Sequence, residues 1–264
     1  MIGKKIYKFE RLDSTNDYAS KIAKESIEGT VVIADYQSKG KGTPGKIWFS
    51  PEGGIWLSVI LKPKSASCIS LMASVAVYET LKSLKLPVRI KWPNDVMVNS
   101  KKISGILTEA HGKNNAIVGI GINLNISEFP DALKNIATSA MIEKNKVFNK
   151  QKVFNILIKQ LDKKYSLLKN KKGKLLEEWK KYANIIGKQI KTNVSGELIE
   201  GKVKDIDENG ALMVEMAGGK VKKITTGTIT LQSADFRINR LTEEFWILPA
   251  GRQGSRQDGN DRWR

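Results

Sequence analysis

The apolar positions of this chain alternate between two periods. In "DSTNDYASKIAKE", Tyr18 and Ala19 are followed one turn later by Ile22 and Ala23, a stripe that predicts a helix. Asp13 or Ser14 can cap it by accepting from the first free backbone N–H groups. "TVVIADYQ" and "GGIWLSVILKP" predict strands, the second ended by Pro63. "CISLMASVAVYETLKSL" predicts a long, mostly buried helix. "VRIKWPNDVMVN", "KKISGILTEA" and "NAIVGIGINLNI" are Val/Ile-rich, bounded by Gly, Asn or Pro, and read as strands of one sheet. From Lys150 to Tyr182 the period is helical, with a break near Gly173. From Ile185 to Leu231 five short β-prone runs are separated by turn signals such as "DENG" and "AGG", which predicts a small barrel. No internal repeat is visible.

The last lysine is Lys223, and every cation after it is arginine. The segment "LPAGRQGSRQDGNDRWR" has no apolar periodicity, reads as disordered, and looks like an appendage foreign to the body. A peptide-binding tail is the rival reading. The 264 residues are 41% hydrophobic, enough for one good-sized domain and a small one. No apolar run reaches the ~18 residues of a membrane span, and the start lacks the apolar core of a secretory signal. Cys68 is the single cysteine, so no internal disulfide can form. A cytoplasmic protein without a membrane partner is expected. The net charge of +18 is mostly lysine and is spread along the chain. It reads as a solvated surface before it reads as a nucleic-acid footprint, which concentrates Arg and aromatic residues on one stripe.

"GKGTPGK" (Gly40 to Lys46) has almost the spacing of a P-loop, but Ile47 stands where a Mg²⁺-holding hydroxyl belongs. Pro51, Gly53 and Gly54 also forbid the helix that a P-loop must enter. What remains is a glycine-punctuated cationic loop between two strands. Gly40, Gly42 and Gly45 let backbone N–H groups turn toward an anion, and Lys39, Lys41 and Lys46 add charge. A flexible solvated hairpin is the bland alternative. "KWPNDV" puts Lys91, Asn94 and Asp95 beside Pro93, and a plain turn would not need Lys91 and Trp92. Asp95 and Lys102 could meet across a hairpin, with Gly105 close by. Gly119 and Gly121 in a Val/Ile strand mark the close approach of a ligand or backbone, and Asn123 follows. His111 is expected in water at a strand end, and Cys68 in the core.

Together these stretches resemble the biotin protein ligase family. "STN" (Ser14 to Asn16) resembles its early biotin-contacting motif, and "DYQSKGKGTPGKIWFSPEGG" its biotin-binding loop. "KWPND", "KKISGIL" and "GIGINLN" match three further motifs in order and spacing. The resemblance implies an α+β fold with a mixed sheet like that of class II aminoacyl-tRNA synthetases, flanked by helices, and a small SH3-like C-terminal barrel. It implies a catalytic domain over residues 1–184, the SH3-like domain over 185–232, and a tail over 233–264. It also implies that biotin and ATP are the substrates, that Mg²⁺ assists with unassigned ligands, and that a lysine of a biotin carboxyl carrier protein is the acceptor.

Carried over residue by residue, Ser14, Thr15 and Gln37 hydrogen-bond the ureido ring of biotin, and Asn16 belongs to the same biotin-binding motif. Gly40, Lys41, Gly42 and Thr43 close over it, with Gly105 nearby. Lys102 binds the carboxylate and then the adenylate. Lys91, Asn94, Asp95 and Asn123 face ATP and its metal, Lys41 and Lys46 add charge there, and Trp48 packs near the adenine. Lys91, Asp95 and Lys102 take the catalytic role. The loop's usual arginines are Lys41, Thr43 and Lys46 here, so one expected cation is missing. No helix-turn-helix precedes "STN", so no specific DNA binding is expected, and a homodimer is implied by analogy alone. Lipoate ligase, which shares the fold, and a nucleic-acid-binding protein are the alternatives. The former should have a different acid-binding loop, and the latter strongly salt-dependent binding.

Overall fold

The computed structural model describes residues 1–112, 115–194, 196–227 and 229–231. The Arg-rich tail expected over 233–264 lies outside the described residues. Seven strands form the larger sheet: β1 (Ile6–Leu12), β2 (Thr30–Gln37), β3 (Ile55–Leu61), β4 (Val88–Lys91), β5 (Asp95–Val98), β6 (Lys101–His111) and β7 (Asn115–Ile122). Their order is β1-β2-β3-β7-β6-β5-β4. Only β1 and β2 pair in parallel; the other ladders are antiparallel. β1 escaped the sequence reading because Lys8, Glu10 and Arg11 interrupt its apolar pattern at the sheet edge.

Helices cover both faces. α1 (Thr15–Ile22) lays Ala19 and Ala23 on Val32, Ile60 and Ile117. Ser14 is its N-cap and accepts from the Asp17 N–H at 3.3 Å. On the other face lie α2 (Ile69–Ser83), α4 (Lys150–Asn170) and α5 (Lys172–Ala183), after a short α3 (Ala140–Lys144). α2 sits between the sheet and α4/α5, so it is apolar nearly all round, as its sequence predicts. The break in the long helical stretch falls at Lys171, two residues before Gly173. The stretch "VRIKWPNDVMVN", expected as one strand, is a hairpin. Trp92, Pro93 and Asn94 turn the chain, and β4 pairs antiparallel with β5.

Five C-terminal strands, β8 (Gln189–Val194), β9 (Glu197–Ile206), β10 (Leu212–Glu215), β11 (Val221–Ile224) and β12 (Ile229–Leu231), form an antiparallel sheet in the order β11-β10-β9-β8-β12. The expected barrel thus takes the form of a small β-domain. Its β9–β10 turn docks on the larger unit: the Trp92 indole N–H donates to the Gly210 carbonyl at 3.1 Å, and Gly210 lies on Leu71.

One ion cluster is enclosed among the helices. The Lys164 ammonium, 3% exposed, sits 2.6 Å from Glu178 and 3.7 Å from Glu79, which also accepts from the Tyr182 hydroxyl. Removing the cation leaves two partly buried carboxylates facing each other. Lys164→Ala should therefore cost about 3 kcal/mol of unfolding free energy in urea denaturation, the lower end of the range for breaking a buried pair. A loss under about 1 kcal/mol would show that the cluster is screened like a surface pair.

Candidate active site

A cavity opens on the α1 face of the larger sheet, between the start of α1, the β2–β3 loop and strands β5, β6 and β7. It is lined by Ser14, Thr15, Asn16, Gln37, Lys41, Gly42, Thr43, Lys46, Trp48, Lys91, Asn94, Asp95, Lys102 and Gly105, with Ile47, Leu57, Ile106, Leu107, Gly119, Ile120 and Gly121 as the remaining wall. Fourteen of the sixteen residues singled out from sequence therefore share one space.

Its two ends differ in chemistry. At one end a chain of neutral groups is buried. Thr15 donates its N–H (2.8 Å) and its hydroxyl (3.0 Å) to Oε1 of Gln37, whose Nε2 donates to Ser50 at 2.9 Å. Ser50 donates in turn to the Trp48 carbonyl. The single Ser58 proton is shared between Thr15 Oγ1 at 2.8 Å and Asn16 Oδ1 at 2.5 Å, and Asn16 donates its Nδ2 to Glu109 at 2.6 Å. At the other end the groups are charged. Lys102 Nζ lies 2.5 Å from Asp95 Oδ1, with the two side chains only 14% and 21% exposed, and Lys91 and Asn94 stand beside them. Asn94 gives its amide N–H to the Ile106 carbonyl, which fixes the turn against β6.

Two expected site residues lie outside the lining. Asn123 is buried and spends its amide on the Thr138 carbonyl (3.0 Å) and the Lys102 carbonyl (3.5 Å). It braces the backbone of Lys102, which is also pinned through Ile136 and Thr138, and does not face the cavity. Gly40 closes the base of the loop by accepting from the Trp48 N–H at 2.8 Å. A side chain there would meet Ser50, the Trp48 carbonyl and Gln37.

The loop itself is a short hairpin. Lys41 bridges Ile47, Gly42 N–H reaches the Lys46 carbonyl at 2.9 Å, and no helix follows, as the failed P-loop reading requires. Ion pairs hold it to α1 and the preceding turn: Lys39 with Asp13 at 3.1 Å, and Lys41 with Asp17. The hydrogen bond to Asp17 raises the Lys41 pKa above the ordinary lysine value, and Glu109 adds to it against the cost of burial. Lys41 is thus turned toward α1.

The strand glycines are cleared for the protein's own side chains. Gly105 and Gly121 are cross-strand partners, and the Trp48 ring lies over both. A Cβ on Gly121 would sit 2.6 Å from Trp48 Cε2, and one on Gly119 would sit 2.9 Å from Asn16 Cγ. The expected close approach is real, but indole and carboxamide make it. Sequence reasoning missed Asp17, Ser50, Ser58 and Glu109. Asp17 lies on α1 and Ser50 in the loop before β3, while Ser58 and Glu109 sit in ordinary strand contexts and reach the site through the pairing of β3, β7 and β6.

Residues 8–127 match the Biotin/lipoate A/B protein ligase family, and residues 185–231 match the biotin protein ligase C-terminal domain. The bifunctional ligase/repressor BirA of Bacillus spizizenii is 34% identical over 234 residues, 83% of this chain and 72% of that one. This chain belongs to the biotin protein ligase family. The biotin–[acetyl-CoA-carboxylase] ligase of Mycobacterium tuberculosis is 27% identical over 214 residues, covering 77% of this chain and 79% of the other. The biotin protein ligase of Aquifex aeolicus, solved in complex with biotin and ATP, has the same fold, with a TM-score of 0.74 at 31% identity over 87% of this chain and 99% of that one. In this biotin protein ligase chain the resemblance drawn from five short motifs thus extends through both sheets.

The Trp48 seat generates a direct test. Gly121→Ala should force the indole off β7, lower unfolding free energy by about 1–3 kcal/mol through overpacking, and raise quenching of Trp48 fluorescence, read by difference against Trp48→Phe. Unchanged quenching would show that the ring does not rest on Gly121.

Proposed function

We propose that this chain activates biotin with ATP and transfers it to a lysine of a biotin carboxyl carrier domain. The observation that carries this reading is the shape of one cavity. An end built on the buried hydrogen-bonding groups of Thr15, Asn16 and Gln37 suits a ureido ring, and a cationic end built on Lys102 suits a carboxylate beside a phosphate. Biotin's carboxylate oxygen attacks the α-phosphorus of ATP, the bond to the β-phosphate oxygen breaks, and pyrophosphate leaves. The acceptor amine then attacks the acyl carbon of the adenylate, loses a proton, and AMP departs.

The first step forces two anions together, so positive charge already in place lowers its barrier. Lys102 supplies that charge, and Asp95 keeps the ammonium aimed at the cavity. Lys91 adds charge at the same end. The Lys102 ammonium is also 5.1 Å from the centre of the Trp48 ring, within cation–π range. Among the described residues no group of three or more His, Cys, Asp or Glu could hold a metal alone. Asp95 is the one carboxylate among the described lining residues, which fits a Mg²⁺ held mainly by ATP phosphates with one protein oxygen. When bound, that ion would offset the charge of the triphosphate.

The two sheets and the two family matches support a catalytic unit over 1–184 and a small unit from 185. The net charge of +18 suits an acidic carrier, because complementary charge speeds encounter. Among the described residues no helix is long and apolar enough to cross a membrane. The lipoate alternative finds no support in the Mycobacterium tuberculosis and Aquifex aeolicus relatives, whose names specify biotin.

Incubation with ATP, Mg²⁺, biotin and a carrier domain should add one biotinyl group to one carrier lysine by mass spectrometry, and lipoate should add none. Lys102→Ala should slow adenylate formation at least tenfold, the scale of a charge-assisted hydrogen bond worth ~1.5–3 kcal/mol. Lipoyl transfer, or near-normal rates from folded Lys102→Ala, would contradict the assignment.

A further inference from the structure

Glu109 is placed where no part of the reaction outlined above needs it. It lies on β6 outside the cavity lining, yet it accepts from Asn16 Nδ2 at 2.6 Å. A carboxamide can turn either edge to a neighbour, and its orientation follows from its partners. A carboxylate only accepts. The edge of Asn16 that faces Glu109 must therefore be the NH₂, and the carbonyl oxygen must point the other way. There Oδ1 rests on Gly119 and accepts from Ser58 at 2.5 Å.

The remaining groups at this end do not impose the same order. Ser58 has one proton and two acceptors in reach, and its hydroxyl can rotate. With Asn16 turned over, Ser58 could accept from the amide and still donate to Thr15, so the neutral network tolerates both orientations. The charge on Glu109 removes that freedom. Asn16 is buried and lines the cavity beside Gly119, so the edge that Glu109 leaves free is an acceptor. An amide oxygen has two lone pairs and can serve Ser58 and a ligand N–H together.

We propose that Glu109 is a positioning residue that locks the Asn16 carboxamide so that Oδ1 accepts a ureido N–H of biotin. This rests on the proposed function. The neighbouring charges are consistent with the role. Lys41, anchored on Asp17, lies close enough for the Glu109 charge to act on it, so the carboxylate is not left uncompensated.

The test uses biotin-dependent exchange of pyrophosphate into ATP by the full chain. In Glu109→Gln the acceptor-only edge is lost and Asn16 can turn over. The KM for biotin should rise about tenfold, while kcat at saturating biotin and the KM for ATP stay within about threefold. Asn16→Ala should raise the biotin KM as well, and the double variant Glu109→Gln/Asn16→Ala should be no worse than Asn16→Ala alone, because groups acting through one another are not additive. An unchanged biotin KM in folded Glu109→Gln overturns the proposal. So does an equal rise for biotin and ATP, which marks a merely structural role, or additivity in the double variant. Exchange that does not depend on biotin in the unsubstituted protein overturns the functional reading, and the proposal with it.

Discussion

The site depends on the bare backbone of Gly105. Lys102 and Asp95 are not cross-strand partners; Asp95 pairs with Gly105, and Lys102 with Met97 beyond a β-bulge. The lysine side chain must therefore run forward along β6, over Gly105, to bring its ammonium 2.5 Å from Asp95. A Cβ on Gly105 would lie 3.0 Å from Lys102 Cε and 3.0 Å from Trp48 Cζ3. One missing side chain thus makes room for the cation and for the indole that lies beside it. Asn123, Ile136 and Thr138 hold the Lys102 backbone from below, so the long side chain starts from a fixed point.

The same logic governs the other wall. Trp48 closes over Gly105 and Gly121, Asn16 sits on Gly119, and the loop that carries Trp48 is tied to α1 by Lys39–Asp13 and Lys41–Asp17. These loop pairs are largely exposed and contribute little to stability. They tie the loop to α1 at its exposed side, whereas the buried Thr15–Gln37–Ser50 chain anchors its base.

Much of this was legible in the chain. "TVVIADYQ" is β2 to the residue, α1 is capped by Ser14, and five β-prone runs became five strands. Local pattern sufficed where burial is one-sided or complete. It failed for β1, whose edge position tolerates charge, and for "VRIKWPNDVMVN", where a turn hides between two apolar runs. The motifs located the cavity because each places unusual residue types together in sequence. Asn123 and Gly40 lie in those motifs but serve the backbone, a distinction that needs hydrogen-bond partners to be seen. Glu109 and Ser58 carry no local signal, since a polar residue in a half-buried strand is ordinary until the neighbouring strand is known.

Under the proposed function, one cavity joins a carboxylate to ATP. Isotope exchange between labelled pyrophosphate and ATP measures that step without any acceptor protein. Exchange is expected in the presence of Mg²⁺ and biotin, and none when biotin is omitted or replaced by lipoate. Exchange that proceeds equally well without biotin, or only with lipoate, would contradict that function.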